Sequence, residues 1–191
     1  MINYLRRIGR DILSPHEIVM ELIGNFIEQN SIDLSLPILD FGSGTLIYSE
    51  ILCKKFKTDV YAYDISYSKK LPKTDFQNIK IFSNYENVMQ NKYSFVFTCD
   101  VLHHINKNEL IRVMNKFTEI SSCIIIKDVD CNDKLGYLQS KIHDFIISHQ
   151  IINDIYADKM EKFFIDKNYI TEMHNIKKYG YPNFLLLAKY V

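Results

Sequence analysis

The chain has 191 residues, 47% hydrophobic and 24% charged, and its 23 Lys and Arg balance 23 Asp and Glu. That length supports one well-buried core rather than two, and the composition excludes large-scale disorder. A formal net charge of zero argues against nucleic acid as the main partner, because gripping phosphates ordinarily demands a basic excess.

The opening MINYLRRIGRD lacks the apolar centre of a secretory signal. No apolar run approaches the roughly 20 residues that span a bilayer, so the expectation is a cytoplasmic protein with no membrane partner. Cys53, Cys99, Cys123 and Cys131 form no CxxC pair and no metal-finger spacing, which suits reduced, buried thiols. Three of the four arginines sit together as Arg6, Arg7 and Arg10. They read either as the solvated face of a first helix or as a cap that attracts an anionic acceptor, since guanidinium matches phosphate and carboxylate geometry.

Ser14-Pro15-His16-Glu17 opens a helix, with a Ser cap, Pro at the first position and Glu three residues on. Ile18, Val19, Leu22, Ile23, Phe26 and Ile27 then recur at helical spacing. A first strand begins at Pro37–Asp40, and a helix follows over 46–56. A second strand covers 59–66, a short third 79–82 and a fourth 93–100. Asn106 and Glu109 cap a helix over 107–120. The run SCIIIKD (122–128) suits a strand buried on both faces. Helices are expected from about 134 to 149 and from about 158 to 167. Strands 170–176 and 183–191 flank KKYGYP and close the chain as a hairpin. Strands alternating with helices predict one α/β domain over 1–191, a doubly wound, mostly parallel seven-stranded sheet with a C-terminal antiparallel hairpin. Residues 1–30 are expected to form a helical segment packing near the active site.

Two of only six glycines fall one residue apart in ILDFGSGT (38–45). Glycine tolerates backbone angles other residues avoid and lets a ligand touch the main chain. The following helix aims unpaired N–H groups at that spot. Asp64 ends the second strand, where an acid accepts hydrogen bonds from a ribose diol. A dinucleotide site would carry a third glycine, but that position is Ile47. Asp40 also suits a neighbouring ammonium or sulfonium better than a pyrophosphate.

These residues resemble the class I S-adenosylmethionine-dependent methyltransferases, especially those acting on small molecules. The first motif of that family, an acid then x-G-x-G, matches Asp40-Phe41-Gly42-Ser43-Gly44. The resemblance covers about residues 35–191 and implies a Rossmann-like fold with S-adenosylmethionine as co-substrate and S-adenosylhomocysteine as product. It places Asp40, Gly42, Ser43 and Gly44 at the cofactor, Asp64 at its ribose and Ile65 against its adenine. Asn84 and Tyr85 stand where the family often has an acid near the adenine. Cys99, in FVFTCDVLHHI (95–105), falls at the methionine end.

Histidine suits a general base because its pKa lies near neutrality. His103 and His104 follow strand four, and His143 lies on the expected helix after strand five. Asp128, Asp130 and Asp133 read as turn acids, and Gln139 stands where an EF-hand needs its closing Glu; no metal is expected. The motif Asn/Asp-Pro-Pro-aromatic of enzymes that methylate amino groups in nucleic acid is replaced by Cys99-Asp100-Val101-Leu102. The expected function is methyl transfer to a small polar metabolite, anionic or phosphorylated, with oxygen favoured. Two alternatives stay open: a small-molecule N-methyltransferase, and a non-catalytic regulatory subunit that binds S-adenosylmethionine.

Overall fold

In the computed structural model, residues 16–132, 154–178 and 181–191 are described. Helix α1 spans His16–Gln29, β1 Ile38–Phe41, α2 Ile47–Phe56, β2 Val60–Tyr63 and β3 Ile79–Phe82. A short α3 (Tyr85–Met89) precedes β4 (Phe95–Cys99), α4 (Lys107–Ile120) and β5 (Cys123–Val129). Helix α5 (Ala157–Ile165) then leads into β6 (Tyr169–Lys178) and β7 (Tyr181–Tyr190).

The seven strands form one sheet in the order β3-β2-β1-β4-β5-β7-β6. Strands β1 to β5 are parallel; β7 runs antiparallel to both β5 and β6. The chain adds strands outward from β1 to β3, then returns to the other side of β1 for β4 and β5. That reversal opens a crevice at the carboxyl ends of β1 and β4, where open α/β sheets bind ligands.

Strand alternation divides the core in two. Ile38, Val60, Phe95, Phe97 and Ile125 face α1 and α2, meeting Ile23, Phe26 and Leu52. Leu39, Phe41, Val96, Ile124 and Ile126 face the opposite way, onto Val88 of α3, Phe117 of α4 and Phe164 of α5. Every residue of β5 is buried, as its continuous β-branched run requires. Asn106 caps α4 by accepting the Glu109 N–H at 3.1 Å.

The structure departs from the sequence reading in identifiable places. On α1 the buried face is Val19, Met20, Ile23, Phe26 and Ile27, while Ile18 points to solvent. The hairpin strands extend beyond the expected 170–176 and 183–191, because ladder pairing continues to Lys178 and Tyr181. Two 3-10 turns, Ile65–Ser68 and Leu102–His104, and the one-turn α3 went unforeseen. The helix expected over 134–149 and the Arg6, Arg7 and Arg10 cluster lie outside the described residues.

Phe117 links this core to the crevice: its ring packs edge-on against Phe41 at 5.0 Å, one residue before the glycine turn. Phe117→Ala is expected to lower unfolding free energy by about 3–5 kcal/mol in chemical denaturation, and Phe117→Leu by clearly less.

Candidate functional site

The turn after β1 contains two glycines with positive φ, 78° at Gly42 and 51° at Gly44. Gly42 meets a second demand. A Cβ built there would lie 2.2 Å from a Val101 methyl, so the turn after β4 presses directly on the turn after β1. The Gly42 and Ser43 N–H groups both donate to the Tyr63 carbonyl, at 2.7 and 2.9 Å. Leu46 caps α2 in a left-handed conformation, which starts that helix at Ile47, one residue later than the expected 46–56.

Asp64 stands at the end of β2, as the sequence reading expects. One carboxylate oxygen accepts the Gly44 N–H at 3.0 Å and the other the Ser66 N–H at 2.8 Å. A carboxylate offers about four lone-pair sites, so these two bonds leave one acceptor position on each oxygen. Ile65, next in sequence, is 77% exposed, an aliphatic surface beside that carboxylate.

Asp40 has a different environment. It is 2% exposed and accepts a 2.5 Å hydrogen bond from the Ser49 hydroxyl of α2. Burial pushes its pKa up to about 7; the Ser49 bond opposes this and the Asp64 charge adds to it. Asp40 therefore lies below the turn as a group that titrates near neutrality, rather than as a fixed anion. Ser43 is buried, and its hydroxyl meets the Tyr67 hydroxyl at 2.9 Å.

Beyond β3, Asn84 caps α3, its side-chain oxygen accepting the Asn87 N–H at 3.1 Å. Tyr85 is half-buried, its ring edge-on to Phe41 and Tyr63 at 6.4 and 6.1 Å. Each has a local structural task, Asn84 as a helix cap and Tyr85 in the aromatic packing on Phe41 and Tyr63.

The ends of β4 and β5 carry two polar pairs. Lys127 of β5, its side chain 4% exposed, donates to both carboxylate oxygens of Asp100 at 2.7 Å each. Asp100 holds a left-handed backbone (φ 56°) with its side chain 39% exposed. Burial alone would raise the Asp100 pKa, but the Lys127 ammonium outweighs it and keeps the carboxyl ionised below its ordinary range. Cys99, half-buried at the end of β4, donates weakly to Asp100 at 3.5 Å. Burial first, then the Asp100 charge, pushes its thiol well above the ordinary value, so it remains protonated.

His103 and His104 occupy the 3-10 turn after β4, with ring centroids 4.0 Å apart. His103 is 3% exposed, and its Nδ1 lies 2.5 Å from an Asp128 carboxylate oxygen. Asp128 also accepts the Leu102 and Val129 N–H groups at 2.9 and 2.7 Å. That contact makes His103 a brace for the turn. His104 is exposed. His143 lies outside the described residues. Asn183 of β7 is buried opposite Val129. Tyr67 and Ser49 are groups that sequence reasoning did not single out; Lys127 and Asp100 stood out by their places at strand ends, but their pairing was not foreseen.

The chain matches no protein-family model and no curated protein sequence. Solved structures do match. An S-adenosylmethionine-dependent methyltransferase from Archaeoglobus fulgidus aligns with TM-score 0.71 at 12% identity, over 97% of this chain and 99% of that one. The chain has the class I methyltransferase fold. The magnesium protoporphyrin IX methyltransferase of Synechocystis, solved with bound S-adenosylhomocysteine, aligns with TM-score 0.65 at 15% identity, over 92% and 83%. The methyltransferase domain of a bacterial Hen1 aligns with TM-score 0.63 at 15% identity, over 90% and 96%.

Asp40 makes the stability of the ligand-free protein depend on pH. Its pKa rises from 3.8 when free to about 7 when folded, so the folded state binds more protons between those values and stability falls as pH rises across them. The gap corresponds to about 4 kcal/mol, with the slope flattening above pH 7. Asp40→Asn should remove that component of the slope, as read from denaturation midpoints at pH 4.5, 6 and 8.

Proposed function

We propose that this chain is an S-adenosylmethionine-dependent methyltransferase acting at oxygen on a small polar metabolite that carries an anionic or phosphoryl group. The observation that carries the cofactor assignment is Asp64. Its carboxylate is fixed at the end of β2 by two backbone N–H groups and retains one acceptor site per oxygen, which fits a vicinal ribose diol. Exposed Ile65 beside it suits an adenine face, with Asn84 and Tyr85 on the far side of the base. Asp40, Gly42, Ser43, Gly44 and Cys99 would line the amino-acid end. The bound sulfonium supplies an activated methyl group for in-line displacement.

The protein's task is then to place the acceptor and take up its proton. His104, exposed on the turn after β4, is the base in this reading. His103, braced by Asp128, sets that turn, and His143 is a further pocket group. Arg6, Arg7 and Arg10 precede α1, whose first residue, His16, packs against Tyr48 at 4.7 Å; they supply the preference for an anionic acceptor. The neutral net charge favours a small diffusible acceptor over nucleic acid, although one structural neighbour belongs to an RNA repair complex. The four cysteines are free, in keeping with a reducing, cytoplasmic setting. Among the described residues no helix is long and apolar enough to cross a membrane. A second reading, methylation of a small amine, is favoured by the ionised, half-exposed carboxylate of Asp100.

Calorimetric titration with S-adenosylhomocysteine tests the cofactor assignment. The wild-type chain is expected to bind, and Asp64→Asn to weaken binding by about 10- to 100-fold, because an amide replaces a charged acceptor. Absence of binding to the wild-type chain sinks the assignment. His104→Ala is expected to lower turnover of an oxygen acceptor by about 100-fold or more while leaving S-adenosylhomocysteine affinity unchanged.

A further inference from the structure

Tyr67 lies three residues past Asp64 in the 3-10 turn, almost fully buried, and no part of the proposed reaction uses it. Its hydroxyl donates to the Gly44 carbonyl at 2.8 Å and meets the Ser43 hydroxyl at 2.9 Å. A phenol has one proton to give. If that proton goes to Gly44, Ser43 must donate to Tyr67. The longer contact of 3.3 Å from Ser43 to the Tyr63 carbonyl is then the weaker alternative for the serine proton. Burial pushes the Tyr67 pKa above its ordinary value, so the donor persists across the neutral range.

The peptide groups of Gly44 are thus held at both ends from the β2 side. Asp64 takes its N–H and Tyr67 takes its C=O. The two contacts come from residues three apart in one short turn, and Gly44 sits at a positive φ in another. Together they lock the glycine turn and the acid turn into one unit. The Asp64 carboxylate depends on that unit, because one of its oxygens is aimed by the Gly44 N–H.

We infer that Tyr67 is a positioning residue for the cofactor: through the Gly44 peptide and Ser43 it fixes the Asp64 carboxylate in the orientation that receives a vicinal diol. This rests on the cofactor reading above. Removing the hydroxyl leaves the ring to fill its space but frees the Gly44 carbonyl, so the aim of Asp64 loosens while the fold remains. The loss should therefore fall on ligands with a diol. A general loosening of the protein would weaken all adenine ligands alike.

The test compares wild type with Tyr67→Phe, titrating S-adenosylhomocysteine, adenosine and 2′,3′-dideoxyadenosine by calorimetry or NMR. Wild type should prefer adenosine over the dideoxy compound by about 10- to 100-fold, the scale of a single charge-assisted hydrogen bond. In Tyr67→Phe that ratio should fall below about threefold, S-adenosylhomocysteine should bind about tenfold more weakly, and the Gly44 amide should exchange faster with solvent. An unchanged ratio overturns the inference, whether affinity stays the same or drops equally for both nucleosides. If wild type binds none of the three ligands, the cofactor reading fails first. Should Tyr67→Phe not fold, Tyr67→Met, which fills the space without a hydroxyl, carries the same expectations.

Discussion

The arrangement depends on the placement of β1 at the centre of the five parallel strands. A parallel strand with a crossover on each side leaves its carboxyl end between two turns that travel in opposite directions. In this chain the β1 and β4 turns meet there, and Val101 fills the space that a side chain at position 42 would need. The groups on both turns are therefore positioned by the topology of the hydrophobic strands that carry them. The core below, with Phe41 against Phe117 and Tyr48 against Phe97, is the platform on which both turns rest.

Four carboxylates stand around that crevice, each in a different environment. Asp40 has a hydroxyl for a partner and a pKa near neutrality. Asp100 has a buried lysine that keeps it charged. Asp128 is held by two backbone amides and a histidine ring. Asp64 takes two backbone amides from two separate turns. Burial of an acid is costly unless its charge is compensated or removed, and here the four solutions assign four behaviours to one residue type. Only Asp64 and Asp100 combine an anchored carboxylate with open surface.

Much of this was legible in the chain itself. The α/β order, the parallel sheet with its closing hairpin, the glycine turn and Asp64 all follow from local patterns, because strand runs and capping residues act over a few positions. Asn106 with Glu109 placed the start of α4 correctly for that reason. What escaped was set by contacts distant in sequence. Nothing near Asn84 announces that it caps a one-turn helix instead of standing open. The burial of His103 against Asp128 joins residues 25 positions apart, so the pair His103-His104 looked symmetrical in sequence while the structure separates a buried brace from an exposed ring. Tyr67 resembled any other tyrosine in a tyrosine-rich chain until its hydroxyl was seen on the glycine turn. Ile18 misled because helical periodicity gives the apolar stripe but not its edges.

The Val101–Gly42 contact makes the two turns share a wall. The turn after β4 carries His103 and His104; the turn after β1 carries the glycines. The Val101 isopropyl group lies where a side chain at position 42 would stand, so the two turns are packed through it. In mechanical terms the two turns are one element, so natural variation at positions 42 and 101 would have to be correlated in side-chain volume. Drift at one position without the other would change the spacing between the two turns rather than the packing of either alone.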